Sequence, residues 1–363
     1  ETKRISEDQV DLVVKVEEQP TGSFSAGIGY SQLDGVSFNL GVSERNFIGS
    51  GHKLNFNVAT SAAKKSADIG VTNPYFTDDG VSLGVSLYYS EIDADELDIA
   101  DYTTNNLGVR LSLGYPLSEN NSLTYGLKFD SQDLVCSDTF SFCSDYIDEN
   151  GKTSNSIIAS IGWNHNTTNA FYFPSDGQKT SLSVEAVVPS TSNTPYYKVY
   201  ANESWFQPLS KNFTLQLKTG LAFGDGYGDA TELPFYETFY AGGIGTVRGF
   251  EPNSLGPRYD LTDDGSDRPT GGSVKLTGTA AVVLPVPFIE DSSNARLSWF
   301  FDFGNVFSDF DAVELGELRT STGLGVSWIT PVGPLTFSIA RPIAYSDADD
   351  NLQTFQFTLG GGF

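Results

Sequence analysis

The sequence predicts an all-β fold: a sixteen-stranded antiparallel transmembrane β-barrel. Three observations predict it. From Gly22 onward nearly every segment alternates with a period of two, one face carrying large apolar side chains and the other small or polar ones. Turn residues punctuate the alternation at short intervals, in a 363-residue chain with 37 Gly, 13% aromatic residues and no Met. No run of about 18 apolar residues exists, so a helical membrane span is excluded, whereas barrel strands need only about 9–11 residues each. The most apolar stretch, Ala280 to Ile289, is broken by Pro285 and Pro287.

Taken in order, residues 1 to 20 stand apart. Val10, Leu12, Val14 and Val16 alternate with Asp11, Val13, Lys15 and Glu17 as one strand of a small soluble domain would. The piece is too short to fold alone, so residues 1–20 are expected to be the tail of a preceding domain plus a joint at Gln19 to Gly22, and residues 21–363 the barrel. No leader segment is visible, and the chain is expected to start after one.

Within the barrel, segmentation at turn signals places strands near 22–32, 35–46, 51–60, 66–74, 80–91, 102–115, 120–132, 153–166, 177–188, 196–207, 211–224, 273–284, 294–304, 319–330, 333–343 and 352–363. In 122–130, Leu123, Tyr125, Leu127 and Phe129 alternate with Thr124, Gly126, Lys128 and Asp130. A soluble sandwich also alternates, but here one face is rich in aromatics and the other carries Lys, Gln, Ser, Asn and Asp, as lipid outside and water inside require. Connections alternate too. Tight ones (Phe47 to Ser50, Pro116 to Asn120, Thr330 to Gly333) fall at one end; long acidic ones (Asp133 to Lys152, Asp225 to Gly272) fall mostly at the other. Short periplasmic turns and long outer loops are the barrel habit, which puts both chain ends in the periplasm.

Net charge is -25, which makes nucleic acid an unlikely partner for this chain. The acids are expected to keep loops solvated; attraction of divalent cations at a lipopolysaccharide surface is the alternative reading. Cys136 and Cys143 sit close together with no nearby His, the spacing of a loop disulfide in an oxidising compartment rather than a metal site. His52 and His165 are the only histidines, and neither completes a set of nucleophile, base and orienting group, so no enzyme, cofactor or metal is expected. Gly243-Ile244-Gly245 lacks the strand-to-helix setting of a nucleotide site.

The stretch from Asp225 to Gly272 is the longest connection, about 48 residues, and a loop that long is functional or disordered. Phe235, Tyr236, Phe239, Tyr240 and Phe250 need burial, and Arg248 among them needs an acidic partner. One candidate follows from phase. In Arg296 to Phe303 the apolar face is Leu297, Trp299, Phe301 and Phe303, which turns Asp302 inward. The strand before it presents Thr277, Thr279, Ala281 and Val283, with no acid.

The chain resembles the BamA family of outer-membrane assembly factors, within the superfamily that joins POTRA repeats to a barrel. The matching pieces are Phe239-Tyr240-Ala241-Gly242-Gly243 followed by Val247-Arg248-Gly249-Phe250, then Val71 to Phe76, Gly80 to Gly84, Tyr172 to Gly177 and Pro331 to Leu335. The resemblance implies a barrel with a long lumen-inserted loop that docks Arg248 on acidic residues of the inner wall, and that residues 1 to 19 are the end of a POTRA domain. It implies a non-enzymatic insertase for client outer-membrane β-barrels, with lipid and lipopolysaccharide around it and accessory Bam lipoproteins bound through periplasmic domains. The Val247 to Phe250 signature also occurs in two-partner secretion transporters of the same superfamily, so a translocation pore is the alternative.

The working part is expected at the junction of first and last strands. An unpaired backbone group in lipid costs several kcal/mol, so barrels close every edge. Here the first strand carries Gly22, Phe24, Gly27 and Gly29, and the last carries Phe355, Phe357, Gly360, Gly361, Gly362 and Phe363. Glycine offers neither cross-strand contacts nor conformational restraint, so this seam should be weak, and an opened edge is a template for a client strand. The simpler alternative is a closed barrel whose terminal glycines only bend.

Overall fold

Sixteen antiparallel strands close into a ring in which each strand pairs with its neighbours in sequence and the last with the first. The structure is a computed structural model; it describes the chain apart from residues 1, 5–8, 13, 18, 139, 261–266, 287–293, 331–332, 347–349 and 361–363. The strands are β1 Gly22–Ser31, β2 Gly35–Glu44, β3 Lys53–Thr60, β4 Lys64–Asn73, β5 Ser82–Asp93, β6 Tyr102–Ser118, β7 Asn121–Cys136 and β8 Thr153–Asn166. They continue as β9 Gly177–Val187, β10 Tyr196–Pro208, β11 Thr214–Gly226, β12 Val274–Leu284, β13 Ala295–Phe307, β14 Arg319–Thr330, β15 Gly333–Ala344 and β16 Phe355–Leu359.

Burial is inverted relative to a water-soluble protein. Large apolar side chains point outward and stay exposed, among them Phe38 (50%), Trp299 (55%) and Ile339 (61%), while the inward Asp302 (0%) and Gln356 (1%) are buried. A bilayer on the outside accounts for this belt, because it removes those apolar side chains from water without a protein core. Polar side chains then fill the inside, where the ordered ladders leave them free to hydrogen-bond one another.

Four expectations need correction. The last strand does not run from 352: Leu352–Gln353 turns away to pair with Gly249–Phe250 of the long loop, and only Phe355–Leu359 lies in the barrel wall. The stretch Asp133 to Lys152 is no plain loop, since β7 extends to Cys136 and the helix α1 (Ser141–Asn150) follows. The turn expected at Pro116 to Asn120 is largely absorbed, β6 running to Ser118 with a register shift between Pro116 and Ser118. Residues 10–17 are not one strand; Val10–Leu12 pairs with Thr2–Arg4, and Val14 and Val16 are exposed beyond it. Some expectations lie outside the described residues: Gly361, Gly362 and Phe363, the turn residues Pro331 and Val332, and most of the acidic run after Asp260.

Cys136 and Cys143 are bonded to each other, with Cα atoms 5.7 Å apart, and staple the start of α1 to the end of β7. Phe140 and Cys143 are fully buried in a cluster with Ile99, Tyr102 and Leu134, which caps the end of the barrel that carries the long loops.

Candidate functional site

The loop between β11 and β12 reaches the inner wall through three sets of contacts. At its base Phe235 inserts among Tyr102, Phe140, Phe142, Tyr146 and Tyr236, with ring centroids 5.1–6.0 Å away and all five contacts edge-to-face. Edge-to-face geometry sets the positive ring edge against a negative face, worth about 0.5–1.5 kcal/mol per pair beyond burial. Burial pushes the Tyr240 hydroxyl up to about 12 and raises that of Tyr236. Further on, Glu237 is ion-paired with Lys198 of β10, a lysine only 5% exposed that also lies over the rings of Tyr196 and Phe239.

The third set is the tip. Gly242 and Gly243, at φ 113° and 86°, take backbone conformations that side chains rarely adopt and turn the chain toward the wall. Val247 and Phe250 are fully buried with Ala241, Leu255 and Val306 of β13. Arg248 then meets Asp302 as a fork: Nε donates to Oδ2 at 2.7 Å and Nη2 to Oδ1 at 2.8 Å. The Arg248 backbone N–H adds a bond to Oδ2 at 3.1 Å, and the Thr279 hydroxyl donates to Oδ1 at 2.8 Å. The guanidinium carbon sits 3.3 Å from the centroid of the buried Phe300 ring. A fully buried carboxylate is tolerable only with such complete pairing. Here each oxygen accepts two donors.

Gly249, at φ 93°, packs the tip backbone against β14 and β15: a Cβ there would stand 3.3 Å from that of Ala340 and 3.4 Å from that of Ser321. Gly249 and Phe250 pair with Gln353 and Leu352, and the Gln356 amide donates to the Phe250 carbonyl at 2.6 Å. The loop thus grips two places at once, the wall at β13 and the segment leading into β16.

At the seam, β16 and β1 share two register positions among the described residues, Thr358 with Ser31 and Leu359 with Tyr30. The β1–β2 ladder, by contrast, runs the full length of β1 from Gly22 to Ser31. Beyond Ser31 the side chain of Gln32 stands in for backbone: Oε1 accepts from the Phe357 N–H at 3.1 Å and Nε2 donates to the Phe355 carbonyl at 3.4 Å. Tyr30 stacks on Phe357 at 5.1 Å, and Phe337 stacks on both Phe355 and Phe357. Gly360, at φ 59°, bends the chain where β16 ends, its N–H bonded to the Pro334 carbonyl. Phe24 is 71% exposed, and Gly27 and Gly29 are paired on the β2 side with Asn39 and Ser37.

The Omp85 superfamily domain matches residues 46–363. The chain belongs to the Omp85 superfamily. Its curated Omp85 relatives include the outer membrane protein assembly factor BamA of Neisseria meningitidis serogroup B, 32% identical over 98% of this chain and 49% of that protein. BamA of Nitratidesulfovibrio vulgaris is 27% identical over 98% of this chain and 44% of that protein. The chain therefore spans about half the length of the curated relatives it matches. Among solved structures, BamA from Haemophilus ducreyi lacking POTRA domains 1-3 superposes with a TM-score of 0.87 at 31% identity, over 99% of this chain and 74% of that one. Barrel and relatives together place this Omp85 domain in a bacterial outer membrane.

Sequence reasoning missed four residues of this site. Gln356 could have been found, because Phe355 and Phe357 outward put it inward. Thr279 was visible on the inner face without a role. Gln32 and Lys198 gave no signal, since the contacts of each depend on where a distant segment runs. Among the described residues no group of three or more His, Cys, Asp or Glu gathers to hold a metal ion.

Proposed function

We propose that the chain is the barrel of an insertase that folds client β-barrels into the bacterial outer membrane through the seam between β1 and β16. The observation that carries this reading is the seam itself: among the described residues two register positions close it, against five between β15 and β16 and ten between β1 and β2. Breaking so short a ladder exposes few backbone groups to lipid, so opening is less costly here than anywhere else in the ring. The freed edge of β1 would accept the terminal strand of a client by strand addition.

On this reading the long loops face outward and both ends of the chain lie in the periplasm. Residues 1–20 end a POTRA domain, and accessory Bam lipoproteins bind through further periplasmic domains. Lipid and lipopolysaccharide surround the belt, the latter near the acidic loops. No step of the proposed activity makes or breaks a covalent bond, so the chain is not an enzyme.

The test is a reversible lock, Ser31→Cys with Thr358→Cys, in the complete protein reconstituted in liposomes with a denatured client barrel. Assembly should stop when the lock is oxidised and resume on reduction. Equal assembly in both states refutes the seam as the route. A steady wide conductance in planar bilayers, without client assembly, would instead support a translocation pore.

A further inference from the structure

The strand that closes the barrel is held from two sides, by its neighbours in the wall and by the loop. Among the described residues β16 shares five register positions with β15, from Leu335 with Leu359 to Ile339 with Phe355, and two with β1. Immediately upstream, Leu352 and Gln353 pair with Phe250 and Gly249, and the Glu251 N–H donates to the Asn351 carbonyl at 2.9 Å. The one long polar side chain that β16 sends inward, Gln356, is 1% exposed and is committed to the same tip. Its Nε2 donates to the Phe250 carbonyl at 2.6 Å and to Gln353 Oε1 at 3.2 Å, and its Oε1 accepts from the Gly249 N–H at 3.4 Å. An amide side chain has both a donor and an acceptor, so it can meet a backbone as another strand would.

We propose that Gln356 is a positioning residue that couples the lumen loop to the last strand, so that unseating the Gly249–Phe250 tip releases the β16–β1 seam. The floor of the seat supports a contact built to separate. Ser321 Oγ and Ser338 Oγ are buried there with no hydrogen-bond partner, Ser321 against Gly249 and Ser338 as the register partner of Gln356. A buried hydroxyl without a partner is a loss that water would repair once the tip lifts. A permanent clamp would have small apolar residues at both places. The chain has one nearby, Ala340, which shows that the next inward position of β15 accepts one.

The inference deepens the insertase reading by naming what sets the state of the seam, yet the coupling belongs to the fold and needs no client to be measured. Amide hydrogen exchange of the full chain in lipid nanodiscs would follow the tip (247–253), the seam (28–31 with 355–359) and β7 as a control, for wild type and three variants. Gln356→Leu keeps the volume and removes three bonds, and should raise exchange about tenfold or more at both tip and seam. Arg248→Ala touches neither β1 nor β16, and should raise exchange at the seam as well as the tip. Ser338→Ala removes the unpaired hydroxyl and should lower exchange at both, a change opposite to that of any general destabilisation. A tip freed by Arg248→Ala beside a seam of wild-type protection overturns the proposal, and so does Gln356→Leu with an unchanged tip. Coupled exchange in a protein that assembles no client would retain the coupling and remove the insertase reading.

Discussion

Replacing Asp302 by Asn is the sharpest perturbation of the loop's seat, because it changes one atom and no volume. Four donors converge on the two carboxylate oxygens: Arg248 N and Nε on Oδ2, Arg248 Nη2 and the Thr279 hydroxyl on Oδ1. With the NH2 at Oδ1 the Thr279 hydroxyl can turn to accept and one guanidinium donor faces a donor; with the NH2 at Oδ2 the Arg248 N–H and Nε–H both do. Hydrogen bonds to charged groups contribute about 1.5–3 kcal/mol each, so the opposed guanidinium donor costs at least about that much, and loss of the carboxylate charge from the remaining bonds adds to it. At about 1.4 kcal/mol per factor of ten, the unseated fraction should rise roughly a hundredfold or more. Trypsin reads this directly, since Arg248 is itself a cleavage site whose side chain is 15% exposed when seated. Where opening is fast, the rate of cleavage after Arg248 tracks the open population. Thr279→Val removes a single donor and should raise the same rate only about tenfold. An unchanged rate for Asp302→Asn, or equal effects of the two variants, refutes the reasoning.

Three further outcomes follow from the same contacts. Reduction of Cys136–Cys143 reopens a short loop, worth about 2–3 kcal/mol, and should loosen α1 and its grip on Phe235 while the ring of strands stays intact; near-ultraviolet circular dichroism and heat-modified gel mobility would separate the two. Phe235→Ala should cost about 3–5 kcal/mol of loop seating, seen as faster cleavage after Arg248 in the oxidised protein. Tyr240 titrates at about 12 when folded, above the ordinary tyrosine value of about 10, so the folded loop favours the neutral hydroxyl. Its contribution is complete below pH ~10 and declines as pH rises through ~12, so the tyrosinate absorbance that wild type has and Tyr240→Phe lacks should appear in that window.

Much of the fold was legible because lipid enforces the alternation. Trp299, Phe301 and Phe303 outward leave Asp302 no direction but inward, and the same count carried through sixteen strands. The last strand was misjudged at its start because Leu352 and Gln353 continue the alternation while pairing elsewhere, with a loop segment about a hundred residues away. α1 was illegible for a different reason. Ser141–Asn150 is polar and acidic, and what holds it is a disulfide and the rings around Phe235 rather than its own propensity. Arg248 announced its need for an acid, but Thr279 could not announce that it would fill the remaining lone pair, since a threonine on a lumen face resembles any other.

The inner face of the first strands has a consequence for what the seam could receive. Ser23, Ser25, Gly27 and Gly29 of β1 stand beside Ser37, Asn39, Gly41 and Ser43 of β2, so nothing longer than asparagine projects into the lumen there. On its lumen side a strand arriving at that edge meets backbone and a few short polar groups, with no charge to match, while Phe24, Ile28 and Tyr30 face outward. Such a wall is chemically mute. It would read the register and length of an incoming strand but hardly its side chains, which is the property a single edge needs if it is to serve many unrelated sequences.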